Sequence, residues 1–265
     1  MLTITIVRHG ESTDNVRAVW AGWADAPLSN HGMNQAKALG ASLATTSISA
    51  IYASPLKRAL WTAQQIEEQN ETVPKPKLTE SPLLREQHFG VAESQPFGSE
   101  EGGYTRMPGR DFKFPEGETL NDVRKRANEA IAQFVEPAIK ESQGQLAGSK
   151  HLVFVAHGIF NHEFIGAILA RRPEGINQWE YRGMTNTGWT RLEVGYEGEV
   201  PGQADSGAIQ PEYFNGLPPF NAKILVADVT SHLDQVHRQK GGIGSSAHDQ
   251  KQRDIRSFFS GASTE

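Results

Sequence analysis

With 265 residues, 37% of them hydrophobic and 22% charged, the chain has enough apolar material for one large α/β domain carrying long polar loops. A net charge of −5 excludes a nucleic-acid-binding surface spread over the whole protein and leaves room only for local positive pockets. The lack of cysteine excludes disulfides, thiolate catalysis and cysteine-held metal. The most apolar stretch, 151 to 170, is interrupted by His, Asn and Glu and does not read as a membrane span. No secretory signal precedes the strand-like Leu2, so a cytoplasmic setting is expected, with the nucleus as a second one.

In chain order, Leu2, Ile4 and Ile6 alternate with Thr3 and Thr5 before Val7, the pattern of a short strand that stops at Gly10. Arg8 and His9 therefore stand at a strand's carboxyl end, where open α/β sheets hold their ligands. A tryptophan-containing loop from Asn15 to Leu28 leads to Ser29 or Asn30, either of which can cap a helix carrying Met33, Ala36, Leu39 and Leu43. Ile48 to Ala53 reads as a second strand. It runs into a helix whose first turn holds Pro55 and Arg58.

Prolines 74, 76 and 82 keep the next stretch extended or turning. Residues 91 to 118 form a long irregular segment, expected as a lid or site wall. Helical spacing returns from Thr119 to Ile139. His151 to Ala156 is a continuously apolar strand that ends in His157 and Gly158 and is followed by a helix over Ile159 to Leu169. Further strands are expected at Thr190 to Tyr196 and Lys223 to Val229, around a Gly- and Pro-rich insertion at 197–222. One domain over 1–232 is thus followed by a polar tether over 233–265.

Two strands ending in His-Gly can face one crevice and gather Arg8, His9, Arg58 and His157. Two arginines at such a place bind tetrahedral oxyanions, phosphate above all. His9 can attack phosphorus as a neutral nucleophile while His157 stabilises the equatorial oxygens. Glu86 can protonate the leaving group and then activate water, and Asn15 can donate an amide hydrogen bond. Bland readings compete with this: strand-end histidines often serve packing, and Asn15 can be a simple loop cap. Metal held by His9, His157 and His162 is a rival use, but no H-E-x-x-H spacing occurs and the adjacent arginines oppose a cation. No nucleotide-binding glycine loop is present. Arg106, Arg110 and Lys113 in the irregular segment are expected to balance its own Glu100, Glu101, Asp111 and Glu116.

VRHGES at 7–12, Asn15, GWADAPLSNHGMNQAKALG at 22–40, SPLKRALWTA at 54–63, LLREQHFG at 83–90 and VAHG at 155–158 resemble the histidine phosphatase superfamily, in the branch with cofactor-dependent phosphoglycerate mutases and fructose-2,6-bisphosphatases. The resemblance implies a three-layer α/β/α sandwich with a mostly parallel central sheet and a phosphohistidine at His9. It also implies phosphate contacts from Arg8, Asn15, Arg58 and His157, acid/base work by Glu86, and no metal or organic cofactor. HFGVAESQPFG at 88–98 departs from the mutase pattern, lacking its lysine-rich continuation. Hydrolysis of a small phosphorylated metabolite is therefore expected ahead of mutase transfer, and ahead of a phosphatase-like interaction module.

Near the end, Gln252, Ile255, Phe258 and Phe259 resemble the short peptide by which replication and repair proteins bind the sliding clamp. The clamp is thus a candidate partner, and docking of the same segment on its own domain is the competing reading.

Overall fold

The first strand forms because its apolar side chains divide between two faces, Leu2, Ile4 and Ile6 entering one layer and Val7 the other. The computed structural model describes residues 1–98, 103–142, 150–173, 183–197 and 218–249. Six strands, β1 (Leu2–Arg8), β2 (Ala50–Ala53), β3 (Lys77–Glu80), β4 (His151–Ala156), β5 (Trp189–Tyr196) and β6 (Phe220–Val229), form one sheet in the order β3-β2-β4-β1-β5-β6. β1 and β4 run parallel, in register from Thr3 opposite His151 to Arg8 opposite Ala156. β2 and β3 extend the parallel part; β5 and β6 join in antiparallel pairing.

A short helix, α1 (Thr13–Arg17), follows β1. On one face of the sheet, α2 (Asn30–Ser42) and α3 (Lys57–Gln69) set Leu39, Ala59, Ala63 and Ile66 against Val7, Ile51, Val153 and Val155. On the other, α4 (Leu120–Ala130), α5 (Glu136–Glu141) and α6 (Gly158–Ala170) bring Val123, Ile139, Phe160 and Phe164 against Leu2, Ile4, Ile6 and Phe154. The architecture is the expected three-layer α/β/α sandwich. Each of these buried Val, Leu, Ile and Phe side chains contributes roughly 1.5–3 kcal/mol. An exposed pair such as Lys57–Asp25 contributes roughly 0–1 kcal/mol, so the layers hold the fold.

Helix starts match the sequence at Ser29, which accepts the Gly32 N–H, and at Thr119, which accepts the Asp122 N–H. Pro55 stands just before the N-cap Leu56, outside the first turn of α3. The single helix expected over Thr119 to Ile139 is two helices joined by a π-helical turn at Ile131–Val135. Pro137 lacks an N–H and crowds the carbonyl four residues back, which accounts for the widened turn.

The proline-bearing stretch contains β3 because Pro74, Pro76 and Pro82 flank Lys77–Glu80 without entering it. The tether expected from 233 also needs correction. The Asn30 N–H donates to the Ser246 carbonyl, the His248 N–H donates to the Leu28 carbonyl, and Arg238 pairs with Glu11. Docking made by backbone hydrogen bonds and one ion pair leaves no apolar stripe in the sequence. Residues 198–217 of the expected insertion, and Gln252, Ile255, Phe258 and Phe259, lie outside the described residues. Among the described residues no helix is long and apolar enough to cross a membrane.

Candidate active site

Because β1 and β4 end side by side, the residues after them are neighbours. The His9 N–H donates to the Ala156 carbonyl at 3.0 Å, and the His9 and His157 ring centroids lie 5.0 Å apart. The loop after His9 rests directly on α2. A Cβ at Gly10 would come within 2.5 Å of the Gly32 carbonyl oxygen, and one at Gly32 would overlap the Glu11 carbonyl. The Gly10 N–H also donates to Thr62 Oγ1 at 3.0 Å, tying the loop to α3.

His9 is 4% exposed. Its Nδ1 lies 2.6 Å from the Gly10 carbonyl oxygen, and since a carbonyl only accepts, Nδ1 carries the proton and Nε2 the lone pair. Burial, followed by the charges of Arg58 and Arg8, holds this imidazole well below the usual histidine range, against the opposing Gly10 bond. The ring is therefore neutral at physiological pH, with its lone pair on Nε2.

His157 is fully buried and is held low by burial first, then by Arg58, His9, Arg126 and Arg8. Its Nε2 lies 2.8 Å from Ser54 Oγ, which already accepts the Leu56 N–H at 3.3 Å and has its hydroxyl proton to donate. With that proton donated to Nε2, Nδ1 bears the ring proton. It is buried and has no hydrogen-bond partner among the described residues.

Arg58, in the first turn of α3, is also fully buried. It donates to the carbonyls of Ala24 at 2.8 Å and Gly22 at 2.7 Å. Gly22 has φ +45°, a left-handed backbone that favours glycine, and a Cβ there would displace the Glu93 carboxylate at Oε1. Arg8 donates to the Met184 carbonyl at 2.6 Å. The Nε of each arginine is buried and, among the described residues, unpaired. Buried donors of this kind are normally satisfied. Arg8 Nε, Arg58 Nε and His157 Nδ1 together suit one tetrahedral oxyanion beside His9.

Glu86 reaches the start of α6. Its Oε1 accepts the N–H groups of Gln87 and Phe160 at 3.0 Å each, and its Oε2 accepts that of Ile159 at 3.1 Å. The first turn of a helix favours a carboxylate there. A Cβ on Gly158 would lie 3.8 Å from Glu86 Oε2 and 3.9 Å from Arg8 Nε, so acid and arginine flank the first residue of α6.

Asn15 is exposed and caps α1 reciprocally with Ser12. Its Oδ1 accepts the Ser12 N–H at 3.1 Å and the Asn186 amide at 3.3 Å. The structure thus engages its side-chain carbonyl in the loop-cap role. Several participants have no sequence signal. Asn186 donates to the His9 carbonyl at 3.0 Å, and Thr187, at φ +59°, gives its N–H to the carbonyls of Arg8 and His9. Only Ser54 was within reach of sequence reasoning, since it directly follows β2.

The irregular segment gathers Phe89, Ala92 and Phe114 with Trp20, Tyr104, Phe112 and Ile159. Ile159 is the residue whose N–H meets Glu86, so this aromatic wall abuts the site. The expected charge balance is overturned at Arg110, which bonds bidentately to the buried Glu163 of α6 at 3.1 and 2.7 Å. His162 lies 3.9 Å from Glu163. Among the described residues no group of three or more His, Cys, Asp or Glu is placed to hold a metal ion.

A neutral imidazole ringed by guanidinium donors at the carboxyl ends of parallel strands defines a phosphoryl-transfer enzyme. The chain belongs to the histidine phosphatase superfamily (branch 1), whose family model matches residues 4–202. It is 30% identical over 264 residues to "Probable phosphatase C1620.13" of Schizosaccharomyces pombe, covering 97% of this chain and 80% of that protein. Over 154 residues it is 34% identical to "Fructose-2,6-bisphosphatase TIGAR B" of Danio rerio, covering 56% of this chain and 60% of that one. Among solved structures, "Mycobacterial hydrolase 1" aligns with a TM-score of 0.66 at 24% identity over 87% of this chain and 100% of its own, a likeness of fold.

Proposed function

We propose that the chain is a metal-independent phosphomonoester hydrolase acting on a small phosphorylated metabolite through a phosphohistidine at His9. The observation that carries this reading is the neutral His9 ring, with its proton held on Nδ1 by Gly10 and with Arg8, Arg58 and His157 grouped about it. The Nε2 lone pair attacks phosphorus as the ester P–O bond breaks, and the departing oxygen takes its proton from Glu86. Glu86 then accepts a proton from water, whose oxygen attacks phosphorus. The P–N bond breaks, its electron pair returns to Nε2, and inorganic phosphate leaves. Arg8, Arg58 and His157 stabilise the equatorial oxygens in both steps, with the Asn15 amide as a further donor.

A small metabolite fits the name of the fish relative, a fructose bisphosphatase. Hydrolysis is favoured over mutase transfer because HFGVAESQPFG brings no lysine run, and its His88 is tilted against Trp23 beside Glu93. A cytoplasmic setting, with the nucleus as a second one, goes with this reading.

The test is a panel of sugar phosphates, phosphoglycerates, nucleotides and phosphopeptides, with acid-stable and acid-labile phosphoenzyme distinguished by phosphorus NMR. Wild type is expected to form acid-labile phosphohistidine, and His9→Ala to lose it along with at least about 10³-fold of turnover. Full turnover in His9→Ala overturns the mechanism. Uniform inactivity with partner capture through the tail turns the reading to an interaction module. The clamp-docking reading of Gln252, Ile255, Phe258 and Phe259 has its own measurement: a 249–265 peptide should saturate a sliding clamp at micromolar concentration, and absence of saturation removes it.

A further inference from the structure

Glu86 sits in a stretch with neither helix nor strand, so no backbone ladder fixes it. Its main-chain carbonyl instead receives two side-chain donors from separate elements, the Trp23 indole N–H at 2.7 Å and Arg126 Nη2 at 3.0 Å. Arg126, on α4, also donates through Nη1 to the carbonyls of Leu83 at 2.8 Å and Arg85 at 2.9 Å. Its guanidinium is held by both oxygens of Glu118 at 2.8 Å, and Glu118 takes the His88 N–H at 2.9 Å as well. One arginine thus gathers the carbonyls of Leu83, Arg85 and Glu86.

Trp23 supplies the second donor. The Arg85 guanidinium lies 3.5 Å from its ring centroid and the His88 ring 4.6 Å away. The residues flanking Trp23 are Gly22 and Ala24, whose carbonyls hold Arg58. Its own N–H donates to Glu93 Oε1 at 2.7 Å, and Glu93 also takes the Phe89 N–H at 3.2 Å. A single indole therefore links the phosphate-gripping arginine to the backbone of the acid.

We propose that Trp23 and Arg126 are positioning residues for proton transfer by Glu86, setting the carboxyl through its main-chain carbonyl while leaving phosphate binding to other groups. Proton transfer demands heavy-atom placement within hydrogen-bond range, and small displacements are costly in rate. The inference rests on the hydrolase reading above.

Its test is the rate of phosphoenzyme formation in single turnover, measured with 4-nitrophenyl phosphate and with phenyl phosphate. The nitrophenolate departs without a proton, whereas phenolate needs one. Trp23→Phe keeps an aromatic ring beside Arg85 and His88 while deleting the N–H donor and part of the indole surface. Arg126→Lys keeps the charge but cannot span three carbonyls and a carboxylate. Each is expected to slow phenyl phosphate about tenfold or more while leaving 4-nitrophenyl phosphate within about twofold. In a Glu86→Gln background, the effect of Trp23→Phe should vanish.

An equal loss on both esters, or no loss on either, overturns the assignment. Should Arg126→Lys fail to fold, Trp23→Phe alone decides. A wild-type enzyme that forms no phosphohistidine overturns the hydrolase reading and this inference together. One that does form it, with a uniform loss in Trp23→Phe, overturns only the positioning role.

Discussion

β4 is bracketed by two buried histidines, His151 at its first residue and His157 just beyond its last, and they belong to different kinds of site. Both are held below the usual histidine range, His151 to about 4 by burial first and by Arg191 second. Burial and a depressed pKa therefore do not separate structure from catalysis. Their hydrogen bonds do. His151 gives Nδ1–H to the Ser47 carbonyl at 3.2 Å and meets Thr5 Oγ1 with Nε2 at 2.8 Å, while Thr5 accepts Arg191 Nε at 3.0 Å. Both ring nitrogens of His151 thus have partners. His157 leaves Nδ1 without one among the described residues and has both site arginines within electrostatic reach. An open circuit beside convergent cations marks the functional end of the strand.

Exchanging the two roles by mutation probes that contrast most strongly. His157→Asn is expected to lower kcat by about 10²–10³-fold through loss of a donor to the phosphoryl oxygens. His151→Asn should leave kcat within about twofold and lower stability by roughly 1–3 kcal/mol, because Thr5 and Ser47 lose their partner. Steady-state kinetics and urea unfolding on both variants give the two numbers. Equal kinetic losses would erase the distinction.

A second expectation concerns acid. The folded values of His9, His151 and His157 are lowered, so below the unfolded value of 6.5 the unfolded chain binds more protons than the native one. Stability is therefore complete above about pH 6.5 and falls as the pH drops toward the lowered native values. For His151, going from 6.5 to about 4 corresponds to about 3 kcal/mol. Urea titrations over this range should show the decline, and His151→Asn should flatten it. The smallest effect belongs to Arg238→Ala, which removes the ion pair with Glu11. It should cost less than about 1 kcal/mol, because the arginine side is well exposed. Loss of protection in the 242–248 amides on hydrogen exchange would report release of the docked segment.

Much of the site could be read from residue order because Arg8, His9 and His157 follow apolar strands at once, and Arg58 opens the helix after β2. Parallel pairing of β1 with β4 then makes neighbours of residues far apart in the chain. Glu86 was legible as chemistry but its placement was not, since it lies in aperiodic chain and is held through its carbonyl. Arg126 and Asn186 stayed hidden for the same reason: a side chain that bonds distant backbone carbonyls imposes no spacing on its own segment. The docked run to residue 249 and the strand between prolines escaped a reading based on composition. Arg110 was misassigned because local acids are easier to see than the buried Glu163 across the fold.

The contact of Gly10 with Gly32 has a mechanical meaning. With no side chain between them, the peptide after His9 sits against the first turn of α2 as against a backstop. Under the proposed mechanism this bracing holds the imidazole as phosphorus closes on it, so the travel in each transfer falls mainly to the phosphoryl group. A lone methyl at position 32 would overlap the Glu11 carbonyl and displace the loop that carries His9.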